Sequence, residues 1–209
     1  MKFYGQFIPP VDQLLYENYF KDTKGGFFIE CGAYDGLLDS CCKFFEENMG
    51  WSGMNIEASP RLFQRLIANR PTSFLNINVA LSNKNGISVF NDVVSVADGN
   101  GSLNHKKEHM DQLVDRNCAF NKVEVKTVRF SDLVIERSIT KIDLMILDVE
   151  GCEVEALEGM SGSPVMPKVM CIEFPLTGIE RLKLIMTGLG YRFDFTREVN
   201  AFFVRETPS

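Results

Sequence analysis

Four carboxylates stand where apolar runs stop. Phe27-Phe28-Ile29 runs into Glu30, and the chain then breaks into the loop Gly32-Ala33-Tyr34-Asp35-Gly36. The run 51–56 ends on Glu57, and the run 142–147 ends on Asp148-Val149-Glu150-Gly151. Short apolar runs bounded by glycine read as buried strands. Strands that all end in acids place acceptors along one rim of a parallel sheet, the rim beyond which open α/β sheets hold ligands. Such a rim suits a polar, cationic small molecule.

The glycine loop narrows the choice. A dinucleotide site wants G-x-G-x-x-G, so that the backbone can approach a pyrophosphate. Here Tyr34 takes the place of the second glycine, and Asp35 adds negative charge where phosphates would lie. Anions are therefore disfavoured, and a nicotinamide oxidoreductase with them. S-adenosylmethionine carries no phosphate but an ammonium and a sulfonium, and the loop fits it. Glu57, at the end of the second strand, can accept both hydroxyls of a ribose. The same residue could instead cap the helix that starts at Ser59, since acids favour helix N-termini.

Strands and helices alternate around these groups. A short helix is expected over 10–20, then the first strand over 27–31 after Lys24-Gly25-Gly26. A helix over 37–48 ends near Gly50. Ser59-Pro60 supplies a cap and a first-turn proline for the next helix, which Arg70-Pro71 stops. A strand over 73–79 precedes the turn 83–86. Residues 86–90 and 123–130 alternate in strand fashion, and a short helix begins at Ser131. Further strands are expected over 141–148 and 169–174, with helices over 152–158 and 178–189. A closing hairpin pairs 191–196 with 201–205. Alternation implies right-handed parallel crossovers, and the hairpin adds one antiparallel strand. One domain over 1–209 is expected, with 91–122 as a lid-like insertion.

Bulk composition sets the outer bounds. The chain has 209 residues, 45% hydrophobic and 24% charged, which suits a single globular core. A net charge of −6 argues against nucleic acid as a partner. Six cysteines lie without zinc spacing, some in strand-like runs, and read as reduced thiols of a cytoplasmic protein. No signal peptide opens the chain, and no apolar run reaches membrane-spanning length.

Several motifs together resemble FkbM-type methyltransferases. They are the stretch 28–36, Gly50-Trp51-Ser52-Gly53, Ile56-Glu57-Ala58-Ser59-Pro60, the turn Asn78-Val79-Ala80-Leu81-Ser82, and 142–151 followed by Glu153, Leu157 and Gly159. The resemblance implies a class I methyltransferase (Rossmann-like) α/β fold: a mostly parallel sheet, helices on both faces and a C-terminal antiparallel hairpin. It also implies methyl transfer from S-adenosylmethionine to a hydroxyl of a sugar, glycan or other small metabolite. By the same analogy Glu30, Gly32, Ala33, Asp35, Glu57, Ala58, Ala80 and Asp148 bind the cofactor. Asp148 and Glu150 then lie beside the transferring methyl. Two positions depart from the family pattern: Ser40-Cys41-Cys42 replaces a Ser-Asn-Thr, and Ala58 replaces a proline.

A hydroxyl acceptor benefits from a general base, and Asp148, Glu150 and Glu173 are the catalytic candidates. Asp148 is expected to face the cofactor and Glu150 the acceptor, with Gly151 permitting the turn this needs; a cap on the following helix is the alternative for Glu150. His105 and His109, the only two histidines, fall at i, i+4 and are assigned to the acceptor, with plain charged surface as the alternative. The acids could serve magnesium or calcium, yet the spacing is not diagnostic and no metal is assigned. A methyltransferase fold that binds the nucleoside without catalysis is the competing reading.

Overall fold

The computed structural model describes residues 1–71, 73–95, 98–103 and 107–206. Seven strands form the main sheet: β1 (Phe27–Cys31), β2 (Ser52–Ile56), β3 (Leu75–Ile77), β7 (Leu144–Leu147), β8 (Val169–Glu173), β9 (Tyr191–Arg197) and β10 (Asn200–Arg205). Their order is β3-β2-β1-β7-β8-β10-β9. The first five run parallel, and β10 is antiparallel to both β8 and β9. This is the mostly parallel α/β sheet with its closing hairpin that the strand–helix alternation implies. Strand order reverses between β1 and β7, which opens a crevice at their carboxyl ends.

Each face of the sheet is sealed by its own apolar cluster. On one side pack α1 (Val11–Leu15), its π-helical continuation Tyr16–Phe20, and α2 (Lys43–Met49), through Leu15, Phe44, Phe45 and Trp51. On the other, Ile29, Met54 and Met145 meet α5 (Phe130–Glu136), α6 (Glu153–Glu158) and α7 (Ile179–Gly188). The central strands β1, β7 and β8 are therefore buried on both faces, which is why they read as unbroken apolar runs rather than alternating ones. α3 (Pro60–Asn69) starts as its sequence foretells: the Ser59 hydroxyl accepts the Leu62 N–H at 3.2 Å, with Pro60 in the first turn.

Three expectations change. Residues 37–42 are not helical, and α2 begins only at Lys43. The Asp35 carboxylate accepts the Leu37 and Leu38 N–H groups, and Asp39 takes a left-handed φ of 57°. The Glu30 carboxylate then accepts the Cys41 and Cys42 N–H groups, satisfying donors that a longer helix would have bonded. The strand expected over 73–79 divides: β3 stays in the main sheet, while β4 (Ala80–Leu81) joins a second, three-stranded sheet. There β5 (Gly86–Val93) pairs antiparallel with β6 (Phe120–Val128), so the connection between them covers 94–119 and carries α4 (Lys107–Asp115). Among the described residues no helix is long and apolar enough to cross a membrane.

Candidate functional site

A single cavity occupies the crevice between β1 and β7, with about 1360 Å³ of empty space, its open mouth included. Glu30, Asp39, Glu57, Asp98, Asp148 and Glu150 line it, and among the described residues no lysine or arginine does. Its chemistry is that of an acceptor-rich site, unsuited to phosphate and suited to positive charge or hydroxyls.

The glycine loop forms the floor. Gly32 and Ala33 donate their N–H groups to the Ile56 carbonyl, both at 3.0 Å, tying the end of β1 to the end of β2. Gly32 has a φ of 83°, and a Cβ there would overlap the Asp148 carbonyl oxygen. Only glycine lets β1 and β7 approach so closely just where the chain turns. Tyr34, at φ 51°, donates its N–H to Glu57 at 2.9 Å.

Of the two roles weighed for Glu57, protein atoms alone fill the one at the helix start. Its other oxygen accepts the Ser59 N–H at 2.8 Å, so it does steady the start of α3. Yet the carboxylate borders the cavity, and two N–H bonds leave part of its accepting capacity unused. Burial pushes its carboxyl up to about 7, against the pull of those backbone donors. Beside it Ala58, Ala80, Phe90 and Leu103 make an apolar wall.

At the other side stand three more acids. Asp148 is exposed, and its exposure is to the cavity. Glu150 sits at φ 52° and Gly151 at φ 93°, so the chain turns directly after β7. That turn brings Asp148 and Glu150 onto the same cavity. Glu173 stands at the end of β8, close to Asp148. Oxygens of Asp148, Glu150 and Glu173 all lie within 4.8 Å of one another. Burial first, and mutual repulsion second, raise the protonation range of Glu150 and Glu173; for Asp148 burial and Glu153 do so. Acids clustered in this way can take up a proton or accept from hydroxyls; such oxygens also resemble a hard-cation set, though no metal is assigned to them.

The remaining assigned residues scatter. Glu30 is buried and turns to Ser40, to the Cys41 and Cys42 N–H groups and to Arg70 at 3.7 Å, so it organises the loop before α2 while touching the cavity wall. Asp35 does not line the cavity; its carboxylate closes the turn at Leu37 and Leu38. His105 lies outside the described residues. His109 is buried on α4, with Nε2 3.8 Å from Glu150. Sequence reasoning did not single out Asn100, whose amide donates to Glu150 at 2.5 Å. It also gave Glu153 no task. That buried side chain accepts the Gly151 N–H at 3.0 Å and the Thr177 hydroxyl at 2.6 Å, holding the turn under Glu150. The acid repeat Asp148, Glu150, Glu153 was the available signal.

Residues 30–193, most of the chain, match the family described as Methyltransferase FkbM domain. The chain belongs to the FkbM methyltransferase family. The solved FkbM methyltransferase of Methylobacillus flagellatus KT is similar in fold, with a TM-score of 0.52 at 13% identity. That likeness covers 90% of this chain and 46% of the other, so this FkbM-family chain spans about half the length of that relative. A TehB-like SAM-dependent methyltransferase from Corynebacterium glutamicum gives a TM-score of 0.45 at 9% identity, covering 94% and 87% of the two chains. No curated protein matches this FkbM-family sequence.

Proposed function

We propose that this chain transfers a methyl group from S-adenosylmethionine to a hydroxyl oxygen of a sugar, glycan or other small metabolite. One observation carries the reading. Glu57 and the Asp148–Glu150 pair open on one cavity, with the tight Gly32 floor between them. A carboxylate on one side of a backbone cradle and a cluster of acids on the other support a ribose at the first and an acceptor hydroxyl at the second.

The donor set fits the cofactor, because the cavity offers carboxylates and backbone and presents no cationic side chain among the described residues. Glu57 would take the ribose hydroxyls. Ala58, Ala80 and Phe90 would face the base, and Gly32, Ala33 and Asp148 would hold the amino-acid end. When bound, the cofactor supplies an electrophilic methyl carbon. The protein's own contribution is alignment, which can be worth roughly 7–11 kcal/mol. Glu150 would orient the acceptor hydroxyl and accept its proton, with Asp148 and Glu173 sharing the charge. His109, against Glu150, would border the acceptor, and the insertion would cover it.

Isotope-labelled donor incubated with a panel of sugars, glycans and hydroxylated metabolites tests this directly. Transfer to oxygen is expected, undiminished by a chelator, and Glu150→Gln should abolish it while leaving S-adenosylhomocysteine affinity near that of the wild type. Donor binding without transfer to any acceptor would favour the non-catalytic binding reading. Unchanged turnover in the variant would remove Glu150 from the mechanism.

A further inference from the structure

The stretch 98–103 crosses the cavity and is anchored on both sides of it. On the Glu57 side, Arg61 and Arg65 of α3 grip Asp98, with nitrogen–oxygen distances of 2.5 and 3.0 Å. Arg61 also holds Asp92 of β5 at 3.1 Å, so the grip is braced from behind. In the middle, Gly99 has a φ of 106° and lies so near the Tyr34 ring that a Cβ would sit 3.0 Å from it. On the Glu150 side, Asn100 donates to the Glu150 carboxylate at 2.5 Å. Ser102 closes back on β5, exchanging backbone hydrogen bonds with Asn91 at 2.9 and 3.2 Å. Asp98, Gly99, Asn100, Gly101 and Leu103 all face the cavity.

We infer that Asn100 is a positioning residue that joins the glycine loop's cover to Glu150, so that this strap retains the bound donor and fixes the carboxylate beside it. The inference rests on the donor reading above and adds the element that holds the donor in. Leaving the cavity past the strap requires parting Asn100 from Glu150 and Gly99 from Tyr34. A hydrogen bond to a carboxylate is among the stronger protein contacts, so its loss is read mainly in the dissociation rate. The glycine at 99 is required by the left-handed backbone and by the ring beneath it.

S-adenosylhomocysteine dissociation from the intact protein, followed by stopped flow or surface plasmon resonance, is the measurement. Asn100→Ala should raise the off-rate about tenfold with little change in on-rate. Asn100→Asp, which sets a like charge against Glu150 once that acid ionises above about pH 8, should raise it further there. Glu150→Ala should match Asn100→Ala, and the double variant should be no worse than either single one, because both remove the same link. Additive effects, or an off-rate unchanged in Asn100→Ala, would overturn the inference while leaving the donor reading intact. Absence of binding to the wild-type protein would instead overturn the donor reading. In that case the same double-variant cycle on the thermal midpoint of the ligand-free protein still reads the link, and additivity there would overturn it.

Discussion

Replacing Glu57 by glutamine separates its two tasks with one change. The carboxylate accepts two backbone N–H groups, from Tyr34 at 2.9 Å and Ser59 at 2.8 Å. An amide keeps one acceptor and turns an NH2 toward the other donor. One charge-assisted bond is lost, about 1.5–3 kcal/mol. Against that, the buried acid is itself costly when ionised. Its carboxyl moves from 4.5 to about 7, and that shift corresponds to about 3 kcal/mol at pH well above 7. The two effects nearly cancel near pH 8, so the fold should change by no more than about 1–2 kcal/mol. Donor affinity has no such compensation, since ribose hydroxyls would meet one acceptor where the wild type offers an ionised pair. Calorimetric titration with S-adenosylhomocysteine at pH 8 should show affinity weakened about 10–100-fold. The wild type carries a second signature. Acidification through about 7 protonates Glu57, so affinity should fall as pH drops, while the ligand-free fold should gain stability over the same interval. A Glu57→Gln protein with full affinity and an unchanged pH dependence would reduce Glu57 to a helix cap and refute the reasoning.

Three further outcomes follow from the packing. Gly32→Ala adds a Cβ against the Asp148 carbonyl at φ 83°, and should cost more than about 3 kcal/mol in urea unfolding, with loss of donor binding. Arg70 is almost wholly buried and meets Glu46 at 2.6 Å and Glu30 at 3.7 Å; Arg70→Met should cost about 3–5 kcal/mol by the same measurement, because the buried Glu30 and the half-buried Glu46 lose their cation. Burial raises the folded-state protonation range of Glu57, Asp148, Glu150 and Glu173. Their stabilising contribution is full below the unfolded range and lost as pH rises through about 7 and beyond, so the ligand-free thermal midpoint should be higher at pH 6 than at pH 8.5. A midpoint that rises with pH over that interval would count against raised protonation of these four acids.

The sequence by itself determined the scaffold. Strands buried on both faces must be apolar throughout, and each run stops where the chain leaves the sheet; so Glu30, Glu57, Asp148 and Glu150 were legible where the runs end, and all four line the cavity. The start of α3 was legible too, because Ser59 and Pro60 act through local bonds. What lay beyond local rules was settled only by tertiary contact. Residues 37–42 read as the start of a helix, but Asp35 takes the Leu37 and Leu38 N–H groups, Glu30 takes those of Cys41 and Cys42, and α2 begins only at Lys43. Asp35 and Glu30 carry the same charge on neighbouring stretches, yet one closes its own turn and the other bonds Ser40 and faces Arg70. Asn100 and Glu153 meet the site through the insertion and through a turn at φ 52°. Spacing cannot announce such meetings, because which side chains face each other across a cavity depends on where separate elements pack, and that is a property of the whole core rather than of any segment.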